Sequence, residues 1–183
     1  GVLSDSFNLE NIDKNNFINY SFENEPFSKN TNIQGNGNDY RVNKKEFADE
    51  IKMIDHENIK ACFDVSHAYL CCSAFKSDFI SNAIDLGENS DHWHVHDSFG
   101  KLNFINAHLT KSEALALGDG DLHLPVGEGD IPWEELVSKT KLNPNVVFNI
   151  ELNPEFWQDL VKCVINTKKL IEFSKKIIVS SNL

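Results

Sequence analysis

The feature that most constrains this chain is an alternation of short apolar runs with helix-like segments, in which the runs end on carboxylates and imidazoles. FINYSF leads to Glu23, and IKACF leads to Asp64 with His67 three residues on. HWHVHD carries His94 and Asp97, and VVFNI ends at Glu151. Strand, helix and strand in repetition require a parallel sheet with right-handed crossovers. Residues at the strand ends then gather at one rim, where enzymes built on parallel sheets keep their chemistry. A rim of carboxylates and imidazoles suits a divalent metal and not soft thiolate chemistry. GDLHLPVGEGDIPW adds Asp121 and His123 to the set.

Between the runs, Asn43 to Glu46 reads as a cap opening a helix with apolar Phe47, Ile51 and Ile54. A helical stretch carries Phe75, Phe79, Ile80, Ala83 and Ile84, and in HWHVHD the histidines alternate with apolar residues on opposite faces. The segment from Ser98 to Asp130 is too long for a simple connection and reads as a site wall, with a short helix at SEALALG. GEGD, at Gly127 to Asp130, lacks the lysine and spacing of a phosphate loop and reads as a tight turn. Asp130 is then expected to cap a helix with Pro132 in its first turn, and PEFWQDLVKCVINTKKLIEFSKK to form a closing amphipathic helix. Trp93, Trp133 and Trp157 read as packing residues, and Lys168, Lys169, Lys175 and Lys176 as a solvated helix face.

At 183 residues and 40% hydrophobic, the chain can bury one core. Seventeen basic against 28 acidic residues give a net charge of −11, which repels phosphate backbones and anionic membranes and makes a nucleic-acid partner unfavourable. Arg41 is the sole arginine. Cys62, Cys71, Cys72 and Cys163 have neither metal-finger spacing nor disulfide-scaffold density and read as reduced core thiols. With no membrane-length apolar stretch and no signal pattern, a cytoplasmic protein is expected. A first residue of Gly1 instead of methionine is expected of a processed or incomplete chain.

A carboxylate after a strand is, taken alone, most simply a helix cap or a solvated turn residue. Its recurrence at successive strand ends favours a site. His92 and His96 read as packing or supporting groups beside His94, and Asp97 reads equally as a residue that fixes a turn or orients a ligand and as one that binds metal.

FENEP, DVSHA, HVHD, HLPVGEGDIPW and the strand-end Glu151 resemble, in order and spacing, the second half of the xylose isomerase-like TIM barrel superfamily. That superfamily includes sugar isomerases, ketose epimerases and endonuclease IV-type AP endonucleases (AP endonuclease family 2). The resemblance implies an α/β (β/α)8 barrel of which residues 1–183 supply about the last four β/α units, since complete barrels run to about 250 residues. A half barrel leaves a sheet edge uncovered, so either a truncated chain or one that pairs with another chain or a second copy to complete the ring is expected.

In the isomerase and epimerase members one divalent ion is held by a Glu, an Asp, a His and a second Glu. Carried over by motif, these are Glu23, Asp64, His94 and Glu151, with Mn²⁺, Mg²⁺ or Zn²⁺ as the expected ion. The resemblance further implies proton transfer through a metal-bound enediolate of a sugar-like or sugar-phosphate substrate. Glu23 and Glu151 would stand on its two faces and His67 would contact a substrate oxygen. An isomerase is therefore the leading expectation. The endonuclease IV-type members hold three zinc ions, and His67, Asp121 and His123 match their additional ligands, so a zinc-dependent AP endonuclease stands as the alternative. A non-catalytic barrel fragment is the third reading.

Overall fold

The computed structural model describes residues 20–24, 44–56, 58–102 and 110–180. Arg41 and the expected cap at Asn43 lie outside the described residues, as do the start of FINYSF and positions 103–109 of the long segment. Strands β1 (Tyr20–Glu23), β2 (Ile59–Asp64), β3 (Ser90–Val95) and β4 (Val147–Ile150) form one sheet in the order β1-β2-β3-β4. Every neighbouring pair is parallel. Helix α1 (Lys44–Ile54) connects β1 to β2, and α2 (Val65–Phe75) with α3 (Phe79–Glu88) connects β2 to β3. Between β3 and β4 lie α4 (Lys111–Leu117) and α5 (Trp133–Lys139), and α6 (Leu160–Ser180) follows β4. Sequential parallel strands with helices between them are the construction of a TIM-type barrel, here as four units.

The two faces of the sheet differ because strand side chains alternate. Ile59, Ala61 and Phe63 of β2 and Trp93 and Val95 of β3 are buried on the helical side. Trp93 meets the Phe63 ring edge-on at 4.7 Å and lies 5.3 Å from Phe148, joining three strands through one indole. Gly87 of α3 lets the helix approach that indole, since a Cβ there would lie 2.8 Å from Trp93 Cζ2. The opposite face carries Cys62, Asp64, His92 and His94. The sequence pattern thus separates a packing face from a chemical face.

Several boundaries depart from the sequence expectation. The single helical stretch is two helices: Lys76 closes α2 in a left-handed conformation (φ 52°), and the Asp78 side chain accepts the Ser81 N–H to open α3. Phe75, at the end of α2, is exposed. The closing helix begins with a separate 3-10 turn, Pro154–Asp159, and its Trp157 is 67% exposed, which corrects the expectation of a packed tryptophan. Pro154 starts that turn because the Asn153 side chain accepts the Glu155 N–H and proline needs no N–H partner there. The helix at SEALALG is present as α4, with a capping box between Thr110 and Glu113.

Asp130 is not the cap of α5. Pro132 occupies that position without a side-chain hydrogen bond. The GEGD turn is organised by buried Asp97, which accepts Ser98 N–H at 2.9 Å, Gly127 N–H at 2.8 Å, Ile131 N–H at 3.3 Å and Trp133 Nε1–H at 2.9 Å. Burial pushes the Asp97 carboxyl upward even against these donors. Of the roles read for Asp97, orienting a ligand and binding metal included, the structure places it at the turn.

Cys62, Cys71, Cys72 and Cys163 form no disulfide among the described residues and are buried, and Lys168, Lys169 and Lys175 are exposed. No helix among the described residues is long and apolar enough to cross a membrane. Gly129 packs so closely that a Cβ would press on Asp97 Oδ1 and Ser98 O. Gly129→Ala is therefore expected to lower stability by about 1–3 kcal/mol in urea unfolding, and a variant as stable as the native chain would refute this packing.

Candidate metal centre

The parallel ladder brings the strand-end residues together. Glu23 ends β1, Asp64 ends β2 opposite His94 of β3, and Glu151 follows β4, whose Asn149 pairs with His94. Asp64 is held most firmly. The Asn24 side chain donates to Asp64 O at 2.9 Å and accepts its N–H at 2.7 Å, tying the end of β1 to the end of β2. Asp64 Oδ1 accepts His67 N–H at 2.8 Å and caps α2, which leaves Oδ2 for the site.

His94 Nδ1 lies 3.3 Å from Glu151 Oε1, 3.5 Å from Glu23 Oε1 and 3.6 Å from Asp64 Oδ2. Although buried, it has no hydrogen-bond partner. Three carboxylates thus crowd one imidazole nitrogen at ion-pair distance, none of them in hydrogen-bond geometry. Ligands about 2.0–2.2 Å from a tetrahedral ion stand about 3.3–3.6 Å from one another, so these separations fit a ligand shell better than a hydrogen-bond network. The oxygen-rich donor set suits Mn²⁺, Mg²⁺ or Zn²⁺.

A second group adjoins the first. His67 Nδ1 lies 3.0 Å from Asn24 O and 3.2 Å from Glu23 Oε1, and its Nε2 lies 3.1 Å from Asp121 Oδ2. The same Asp121 oxygen is 2.9 Å from His123 Nε2. Ser66 Oγ–H donates to Asp121 Oδ1 at 3.1 Å. His123 has a left-handed backbone (φ 51°), and Asn153 N–H donates to its carbonyl at 3.0 Å, which fastens this loop to the end of β4.

His96 is fully buried between the two groups. Its Nε2 lies 3.0 Å from Asp64 Oδ2 and its Nδ1 3.7 Å from Asp121 Oδ1, while its ring stacks on His123 at 3.8 Å with only 7° between planes. An imidazole directs its lone pairs in its own plane, so two parallel stacked rings cannot share an ion, even though His96, His123 and Glu151 are close enough in distance. His96 Nε2 thus faces Asp64, and its candidate ligand atom lies within 4.8 Å of those of Asp64 and His67.

Charge is balanced internally. His67 and then His94 lower the Glu23 carboxyl to about 2. Burial opposes ionisation of Asp64 and Asp121, but adjacent imidazoles overcome it and hold both well below the usual carboxylate range. Burial also lowers His67 and His94, yet Asp121 and Glu23 raise His67 to about 11, and Asp64, Cys62 and Glu23 raise His94 to about 12. The Asp121 carboxylate raises His123. Imidazoles raised in this way would supply, beside these carboxylates, the positive charge that a bound divalent cation would otherwise bring.

The structure brings together Glu23, Asp64, His94 and Glu151, and beside them His67, Asp121 and His123. Asn24 and Ser66 are contributors that sequence reasoning missed. Their only signal is adjacency to Glu23 and His67, because each acts across about forty or more residues of chain. An unrelated cleft of about 580 Å³, lined by residues such as Ile59, Ser90 and Lys60, lies at the opposite ends of the strands.

The sequence model of the xylose isomerase-like TIM barrel matches residues 16–164. No curated protein matches the chain. A solved structure titled as a D-tagatose 3-epimerase-like protein superposes with a TM-score of 0.54 at 23% identity, over 88% of this chain and 49% of that one. A second, titled as an IOLI protein with a binding zinc atom, gives a TM-score of 0.38 at 17% identity, over 74% of this chain and 42% of that one. The chain spans about half the length of the solved structures it matches.

The pKa shifts have a defined sign. Raised imidazoles contribute stability that is complete below their ordinary value of 6.5 and is lost as pH rises toward about 11 and 12. Glu23 contributes above its ordinary 4.5, and that contribution is lost as pH falls toward about 2. The metal-free protein is expected to be most stable between about pH 4.5 and 6.5, measured as urea midpoints in chelator. Added Zn²⁺ shifts the optimum to higher pH because bound ions displace imidazole protons. An unchanged profile with Zn²⁺ would refute binding at this cluster.

Proposed function

The chain belongs to the xylose isomerase-like TIM barrel family, and from that premise we propose a metal-dependent isomerase or epimerase of a sugar-like substrate, including sugar phosphates. The observation that carries this reading is the convergence of Glu23, Asp64 and Glu151 on the unpartnered His94 Nδ1. These four residues would hold one divalent ion. Bound there, such an ion polarises a carbonyl and its neighbouring hydroxyl.

The remaining steps belong to the protein. Glu23 is ionised throughout the physiological range and can accept a proton. Glu23 and Glu151 come from opposite edges of the sheet, so one removes a proton from the carbon beside the carbonyl and the other returns a proton from the far face. His67, held through Nδ1 by Asn24 O, would reach a substrate oxygen with Nε2 in place of its present partner Asp121 Oδ2. In this reading residues 1–183 form the C-terminal half of the barrel, and another chain or copy supplies the other wall.

The zinc endonuclease is the second reading, favoured by the approach of His67 and His123 to one oxygen of Asp121. The net charge of −11 opposes a DNA partner. Glu151→Gln is expected to leave the fold intact and to reduce ketose-dependent solvent deuterium exchange beside the carbonyl by a hundredfold or more, on the order expected for a lost general base. Full exchange in that variant would remove the assignment. Asp121→Asn is expected to be mild in the exchange assay, whereas loss of cleavage of abasic-site DNA in that variant would support the nuclease.

A further inference from the structure

One level below the carboxylates, the sheet places Cys62 of β2 opposite His92 of β3, with His94 two residues above. Barrel interiors at this depth are ordinarily filled by bulky branched apolar side chains. Here a thiol and an imidazole face each other instead. Ligand atoms of Cys62, His92 and His94 all lie within 4.8 Å of one another. The His92 and His94 rings are 5.3 Å apart and 81° to each other, so unlike the parallel His96–His123 pair they can direct lone pairs at one point. His92 makes no hydrogen bond to a described residue, its ring contact with His94 aside.

We infer that Cys62, His92 and His94 form a second cation seat, of thiolate–imidazole chemistry, for a borderline-soft divalent ion such as Zn²⁺. The Zn–S and Zn–N lengths of about 2.3 and 2.0–2.1 Å place tetrahedral ligands about 3.3–3.6 Å apart, and the candidate atoms here all lie within 4.8 Å of one another. Three protein ligands leave one position open. Binding exchanges the Cys62 thiol proton for the ion, and the proton leaves to solvent. The seat differs in kind from the carboxylate centre above it: oxygen donors favour hard ions, whereas sulfur and nitrogen favour Zn²⁺, Co²⁺ and Cd²⁺. His94 is common to both, so a soft ion below competes for that imidazole.

Co²⁺ tests the seat without any activity assay, because only a cysteine ligand gives a sulfur-to-cobalt charge-transfer absorption. The native chain titrated with Co²⁺ is expected to show this band. Cys62→Ser is expected to abolish it, while Glu151→Gln, which disables the carboxylate centre, retains it. His92→Ala, at a half-buried position, is expected to weaken the Co²⁺ affinity read from the band by tenfold or more and guards against a folding defect in the cysteine variant. Absence of the band in the native chain, or its persistence in Cys62→Ser, overturns the proposal. Loss of Mn²⁺ binding in Glu151→Gln with the cobalt band intact separates this seat from the isomerase reading.

Discussion

Asp64 holds the structure and the site together. A carboxylate removed from water at the end of a central strand is costly unless every lone pair is satisfied. One oxygen of Asp64 caps α2 through His67 N–H, and the other meets His96 Nε2 while facing His94. Asn24 fixes its backbone on both sides. A helix cap and a metal ligand are usually competing explanations for an acidic residue after a strand. In Asp64 one oxygen caps the helix while the other faces His94 and His96, and the cap is what aims that second oxygen.

The same economy governs the loop that follows β3. Asp97 gathers four donors and thereby folds the turn from Gly127 to Trp133. Leu124 pairs with Asp97 across an isolated bridge, which sets His123 over His96. Asp121 and His123 thus reach the rim because a neighbouring carboxylate, itself outside the cluster, has ordered their loop. The sheet leaves β1 and β4 with one partner each among the described residues, and Val147, Trp157, Val161 and Ile165 are exposed on the β4 side. Apolar groups on that side and unpaired strand edges are what an adjoining barrel wall would cover.

Electrostatically, the rim is a set of carboxylates neutralised by imidazoles. Raised imidazoles and lowered carboxylates stabilise one another, and a divalent ion bound to such a cluster would have to displace imidazole protons. The negative balance of the whole chain, −11, favours the approach of cations over polyanions.

The sequence by itself determined the order of strands and helices, the parallel sheet and the identity of the rim residues, because period-2 burial and strand-end carboxylates are local patterns. It also separated the Trp93 face from the His94 face, since alternation along a strand is fixed by backbone geometry. It did not show the break between α2 and α3, where a left-handed Lys76 overrides a continuous apolar period, nor the exposure of Trp157. Only the tertiary structure decided that Asn24 clamps Asp64, that His96 faces Asp64 while stacking on His123, and that Asp97 serves the turn. Those assignments depend on which atoms face one another across tens of residues. Spacing along a chain carries no record of ring planes or of which carboxylate oxygen remains free.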